Sequence, residues 1–352
     1  MSDRLRGLDV ARFLALIGMV LVNFDMVMVN LGDATVFPKM GMGLGLTDVL
    51  QGRAAATFVV LAGIGLGLSF ARQGWDLTFF TTLKRAGFLF ILGLLNTTIF
   101  DADILHYYAL YFLFGVWFLR VSDQTLWIGM AALSLAFVGL LLLFDYDTGW
   151  NWLDYSYADF WTPVGFLRNL FFNGWHPIVP WLAFILFGIW ISRLGLHQRA
   201  VQIRLFLIGV AVFVATTVVS ALLIRVIGAG DGDVAVLFAT APIPPMPLFI
   251  LAGGSAAATV TGFCLLIEPM LSRMRLLGPL AAPGQQTLSL YIAHIFLGMG
   301  TLEALNMLGG QSHAQAAYAS AIFCSVALVY AAVWHCFFKR GPLETLMRRL
   351  TG

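Results

Sequence analysis

The sequence predicts an all-α, polytopic membrane bundle of about ten transmembrane helices with both termini cytoplasmic. Three observations carry that prediction. The first is composition: 60% of the 352 residues are hydrophobic, 11% are charged, and the mean hydropathy is +0.88. Soluble domains carry roughly 25% charged residues. The second is spacing. Apolar stretches long enough to cross a bilayer, about 17–25 residues, lie at 8–30, 53–71, 86–101, 104–120, 125–144, 175–193, 202–225, 245–268, 286–304 and 316–338. The third is charge: 16 of the 20 Lys and Arg residues sort to one set of loops and 12 of the 18 acidic residues to the other. An excess of basic residues marks the cytoplasmic side. The chain reads as one integral-membrane domain over 1–352.

The first span follows Arg4 and Arg6. It is too long for a signal peptide and lacks a small-x-small cleavage site, so it is expected to be retained. Arg53 and Arg72 bracket the second span, about 28 Å apart at the helical rise. Within it Gly63 and Gly67 form a small-xxx-small pattern, which reads as close helix packing. No strand precedes these glycines, so a phosphate-binding loop is rejected. The third and fourth spans are short and joined by the acidic turn Asp101-Ala102-Asp103.

The outer loop at 145–174 mixes Trp150, Trp152, Tyr155, Tyr157, Phe160 and Trp161 with four aspartates. It is either an interfacial segment roofing a cavity or an ordinary aromatic belt. Arg204 and Arg225 bracket the seventh span at about 31 Å, one hydrocarbon thickness. Pro242, Pro244, Pro245 and Pro247 keep the chain extended before the eighth. Cys264, Cys324 and Cys336 lie inside apolar stretches, fit no disulfide or metal motif, and read as small buried hydrophobes. No basic block interleaves with exposed aromatics, which excludes nucleic acid as a partner class.

Ionisable groups inside spans are costly and so are functional candidates. Asp103 and His106 are three residues apart and share a helix face. A carboxylate beside an imidazole fixes its tautomer and raises its basicity, as a general base requires. The competing reading places both in the headgroup zone at a helix end. His294, about 12 Å into the ninth span, is a second candidate base. Asn23, Asp25, Arg53 and His176 fall in the outer half as candidate acceptor-binding groups. Asp9 and Arg12, one turn apart, can pair. Arg12, Arg72, Arg85, Arg273 and Arg275 lie at cytoplasmic helix ends, where guanidinium groups neutralise phosphates.

The opening R-L-R-G-L-D-V-A-R-F-L-A-L-I-G-M-V-L-V-N-F resembles that of the YeiB-like family of bacterial membrane proteins, through Leu8, Asp9, Arg12, Gly18 and Asn23. The family's glycine after the arginine is Phe13 here, a departure in a position of close backbone approach. Further segments match in order from Gly52, Asp103, Leu186 and Gly284, and the tail G-P-L-E from Gly341 is similar to the family's ending. Together they span almost the whole chain.

The resemblance implies a multi-pass protein of the bacterial cytoplasmic membrane, related to the heparan-α-glucosaminide N-acetyltransferase group. Those relatives move an acyl group from acyl-CoA to a sugar hydroxyl or amine. Their catalytic histidine after the first span has no counterpart between Asp25 and Lys39, so His106 or His294 is the expected substitute. The motif L-S-L-Y-I-A-H ending at His294 also resembles a pattern of membrane O-acyltransferases.

The leading expectation is therefore an acyltransferase that takes acetyl-CoA or another acyl-CoA from the cytoplasm, with no metal. A small-molecule acceptor would enter from outside, with Arg53 or Asn23 stabilising the oxyanion. Its fixed partner is the lipid bilayer, and a homo-oligomer is an open alternative to a monomer. The rivals are a transporter using the same Asp and His groups as proton relays, and a non-enzymatic membrane partner protein.

Overall fold

The computed structural model describes residues 4–30, 45–227 and 232–352. Lys39, and most of the stretch between Asp25 and Lys39 that lacks a histidine, lie outside the described residues. The first half of the chain forms α1 (Gly7–Asp25, continued by a π segment Met26–Asn30), α2 (Leu46–Leu50), α3 (Arg53–Gln73), α4 (Trp75–Thr97), α5 (Leu105–Gly115), α6 (Asp123–Leu143), α7 (Pro163–Arg168) and α8 (Ile178–Ser192). The second half forms α9 (Arg199–Val226), α10 (Gly232–Leu237), α11 (Pro247–Arg273), α12 (Leu277–Gly284), α13 (Thr287–Ala293), α14 (Gly300–Ala304), α15 (His313–Phe337) and α16 (Pro342–Thr351). A two-stranded antiparallel hairpin, β1 (Trp150–Asn151) and β2 (Ser156–Tyr157), sits in the long loop.

This is an all-α membrane bundle. Among the described residues seven helices are long and apolar enough to cross a bilayer, or eight if Pro163–Asn173 and Ile178–Ser192, inclined at 49°, form one broken span. The stretches expected as spans at 104–120 and 286–304 are interrupted helices. The first passes from α5 into a 3-10 segment, Val116–Arg120, and the second runs from α13 through a π segment, His294–Met299, into α14. α4 begins at Trp75 instead of near 86. Lys84 and Arg85 break the hydropathy but not the helix, because Lys84 is exposed and Arg85 faces a cavity.

Burial separates inner from outer helices. The apolar window of α3 is 67% buried, against 17% for both α6 and α9, so α3 lies in the core and the other two face lipid. The lipid-facing surfaces carry Leu135, Leu142, Ile208 and Leu222. The Gly63 pattern works as packing: a Cβ there would run into the Ile185 carbonyl oxygen, and one on Gly188 into that of Val60, so α3 and α8 touch backbone to backbone.

Both described ends of the chain meet on one face, the basic one. The Arg6 and Gly7 N–H groups donate to the Glu268 carboxylate at 3.1 and 2.9 Å, which satisfies the exposed start of α1. α16 is pinned to the start of α13 by Glu344, which accepts from Leu288 N (2.7 Å), Ser289 N (3.1 Å) and Ser289 Oγ (2.5 Å).

Candidate functional site

The acidic turn between α4 and α5 is where the polar groups converge. α4 ends at Thr97, and a Cβ on Gly93 would strike the His106 backbone nitrogen, so the start of α5 rests directly on α4. Asp103 precedes α5 and is fully buried. Its Oδ2 accepts from Leu105 N at 2.7 Å and His106 N at 3.4 Å, satisfying donors that a helix start leaves open. Its Oδ1 accepts from Asn96 Nδ2 at 2.7 Å and from the Tyr291 hydroxyl at 3.2 Å. Each of these contacts presents a donor, so both oxygens are bonded as carboxylate acceptors.

The His106 imidazole approaches the same carboxylate, with Nδ1 3.3 Å from Oδ2. That contact places the proton on Nδ1 and leaves the lone pair on Nε2. Nε2 is buried and has no hydrogen-bond partner among the described residues. The ring lies against Tyr107 (centroids 3.9 Å apart) and edge-on to Phe160 of the 145–174 loop (6.0 Å).

His294 is also buried, but both its nitrogens are engaged. Nε2 is 3.0 Å from Asn23 Nδ2, and Nδ1 bonds the Tyr291 carbonyl oxygen. The network assigns a proton to Nδ1 and makes Nε2 an acceptor from Asn23.

The other sequence candidates occupy separate places. Asp25 Oδ1 is 2.7 Å from Nδ1 of the exposed His313. Arg53 is buried in structural bonds to the carbonyls of Asp48 (2.9 Å), Val49 (3.0 Å) and Thr240 (3.2 Å) and to the Thr240 hydroxyl (2.6 Å). His176 lies between Tyr107 and Trp181, its carbonyl oxygen accepting from the Tyr111 hydroxyl at 2.5 Å.

The aromatic loop at 145–174 is folded. Trp150 and Trp152 stack at 4.4 Å, and Arg168 grips Asp159 through both oxygens at 2.6 and 2.7 Å. Asn173 ties the loop's two ends, donating to the carbonyls of Tyr146 (2.7 Å) and Thr148 (2.9 Å) and accepting from the Tyr157 hydroxyl (2.7 Å). Asp101 beside it has its pKa raised by burial first and by the nearby Asp154 second. Asp154 is shifted the other way, by hydrogen bonds from Ser156.

A cavity of about 760 Å³ opens on the basic face and runs inward among α1, α3, α4, α5, α13 and α16. Arg4, Arg12, Arg72, Arg85 and His197 are in its lining. Ile104, Leu105, Tyr108 and Tyr291 also line it, so the cavity reaches the residues that wrap Asp103. Arg4 and Arg12 are committed to buried Asp9, at 2.9 and 2.8 Å, as the Asp9–Arg12 spacing predicted. Arg85 keeps a buried Nε with no partner among the described residues. Arg273 and Arg275 are exposed and do not line the cavity. Arg4, ahead of α1, and His197, on the α8–α9 connection, line it instead.

Sequence reasoning also missed Asn96 and Tyr291. Tyr291 stood one turn before His294 in the motif already singled out, which was the available signal. Among the described residues no group of three or more His, Cys, Asp or Glu side chains is placed to hold a metal ion.

Residues 4–221 match the family described as heparan-alpha-glucosaminide N-acetyltransferase, catalytic. Residues 190–352 match the family described as protein of unknown function DUF418. No curated protein matches the chain.

Proposed function

Because the chain belongs to the heparan-alpha-glucosaminide N-acetyltransferase catalytic family, we propose that it transfers an acyl group, acetyl in the simplest case, from acyl-CoA to a hydroxyl or amine acceptor, with His106 as general base. The protein is a multi-pass protein of a bacterial cytoplasmic membrane. One observation carries the reading: a cavity that starts among arginines ends at the side chains surrounding the Asp103–His106 pair.

The cavity suits an acyl-CoA in shape and charge. Its mouth holds Arg72 and Arg85, neither paired with a carboxylate among the described residues, and the unpartnered Arg85 Nε is available to a phosphate oxygen. Phe58, Leu66, Leu89 and Phe112 give the cavity apolar walls, the kind of surface that shields a thioester from hydrolysis. The basic face is the cytoplasmic one by the positive-inside rule, so the cavity opens to the compartment that holds acyl-CoA.

His106 meets the requirements of a base from the other side. Its Nε2 lone pair is unengaged, its tautomer is held by Asp103, and Phe160 covers it from the outer loop. The acceptor's proton moves to Nε2 as its oxygen or nitrogen bonds to the acyl carbon. The carbon–sulfur bond breaks with its electron pair on sulfur, and CoA leaves as a thiolate toward the basic mouth of the cavity, where it takes a proton from solvent. Asp103 stabilises the imidazolium, which then returns its proton to the outer side.

Calorimetric titration of the purified protein with acetyl-CoA tests the donor half of this reading. Transfer of labelled acetyl to a panel of amino and hydroxylated sugars tests the other half. Binding with transfer to at least one acceptor is expected, and absence of acetyl-CoA binding refutes the proposal.

A further inference from the structure

The donor cavity ends at residues adjoining the proposed base, and one side chain connects the two. His106 and Asp103 do not line the cavity, whereas Tyr291 does. Of the side chains lining it, Tyr291 is the one hydrogen-bonded to Asp103 among the described residues, donating to Oδ1 at 3.2 Å. Its oxygen in turn accepts from Ile104 N at 3.2 Å. Both contacts lie at the long end for bonds of their type. Asp103 is held independently by Asn96 at 2.7 Å and Leu105 N at 2.7 Å, so the Tyr291 bond can be given up without leaving the carboxylate bare.

We propose that Tyr291 is the oxyanion donor of this site: with acyl-CoA in the cavity, its hydroxyl turns from Asp103 to the thioester carbonyl oxygen. The inference rests on the acyltransferase reading above. Turned that way, the hydroxyl stabilises the charge that grows on the carbonyl oxygen as the acceptor attacks. Asp103 keeps its bonds from Asn96 and Leu105 N and still faces His106 Nδ1. Tyr291 itself exchanges no proton and forms no covalent bond, while Asn23 is bonded to His294 and both Nη atoms of Arg53 are bonded to Asp48, Val49 and Thr240.

The test uses full-length protein, acetyl-CoA labelled with ¹³C at the thioester carbonyl, and the variant Tyr291→Phe, which keeps the ring in the wall. Calorimetry first establishes that both proteins bind the donor. Isotope-edited infrared spectra then read the bound carbonyl. The expected result is closely similar affinity, a carbonyl band at lower frequency in the parent than in Tyr291→Phe, and a kcat lower by about 10²–10³ in the variant.

Identical carbonyl bands in the two bound complexes overturn the inference while leaving the acyltransferase reading intact. Loss of donor affinity in the variant alone also overturns it, since an exchange of one hydrogen bond for another leaves ground-state binding nearly unchanged. Failure of the parent protein to bind acetyl-CoA removes the reading beneath it.

Discussion

His106 and His294 are both buried in the bundle, and each sits within a turn of a residue that bonds the same tyrosine or its partner carboxylate. They differ in what is left over. Asn23 and the Tyr291 carbonyl oxygen use both nitrogens of His294, while Asp103 uses one nitrogen of His106 and leaves the other bare. A buried polar atom without a partner costs roughly 1–3 kcal/mol, so His106 Nε2 is one of the buried atoms that calls for an explanation. By this comparison His294 ties α1 to α13 through Asn23, and His106, the one of the two with a free nitrogen, is the imidazole we propose as the base.

The largest effect that can break the comparison is on turnover. His106→Ala is expected to lower acyl transfer by about 10²–10⁴, the contribution of a positioned general base. His294→Ala is expected to act mainly on stability, through the unpaired Asn23 it leaves. Assays of labelled acetyl transfer with thermal unfolding of both variants in detergent decide it. Comparable losses of turnover at unchanged stability would erase the distinction.

The same contrast between used and unused groups separates the arginines. Arg4 and Arg12 are tied to Asp9, Arg273 and Arg275 lie outside the cavity, and Arg85 has a buried donor to spare. Arg85→Gln should therefore weaken acetyl-CoA binding by about 10- to 150-fold, as loss of a charge-assisted bond worth about 1.5–3 kcal/mol implies. Arg273→Gln and Arg275→Gln should leave the affinity unchanged when measured by the same titration.

The smallest expected effect concerns Glu344, a carboxylate whose contacts are all on the structural side. Burial raises its pKa above the usual 4.5, against hydrogen bonds from Ser289 and Leu288 that lower it. A carboxyl with a raised folded-state pKa holds its proton more tightly folded than unfolded, so its contribution falls as pH rises from the unfolded toward the folded value. Stability of the α16 docking should be greater on the acid side of that window. In Glu344→Gln this part of the pH dependence should vanish, as followed by proteolysis of the C-terminal helix across the same pH range.

Much of this was legible before any coordinates. The Asp103–His106 pair is local, three residues on one helix, and so is the Asp9–Arg12 pair, and the structure contains both. Gly63 and Gly67 announced a close helix contact because only a missing side chain permits one. The start of α4 was misplaced because hydropathy counts Lys84 and Arg85 as a break, whereas a helix can send one to the surface and the other into a cavity. The interruptions after α5 and at His294 were hidden for a related reason: an apolar stretch reports length and does not report where its hydrogen-bonding pattern changes.

Composition and charge placement alone determined that this chain lives in a membrane as a helical bundle, because hydrocarbon admits helices and excludes unpaired backbone. They also singled out the buried ionisable groups, because each is expensive wherever it stands. Only the tertiary structure decided which of two histidines is left free, and that Tyr291 joins the cavity to Asp103. Those partners lie far apart along the chain, and a hydrogen bond depends on where atoms meet in space.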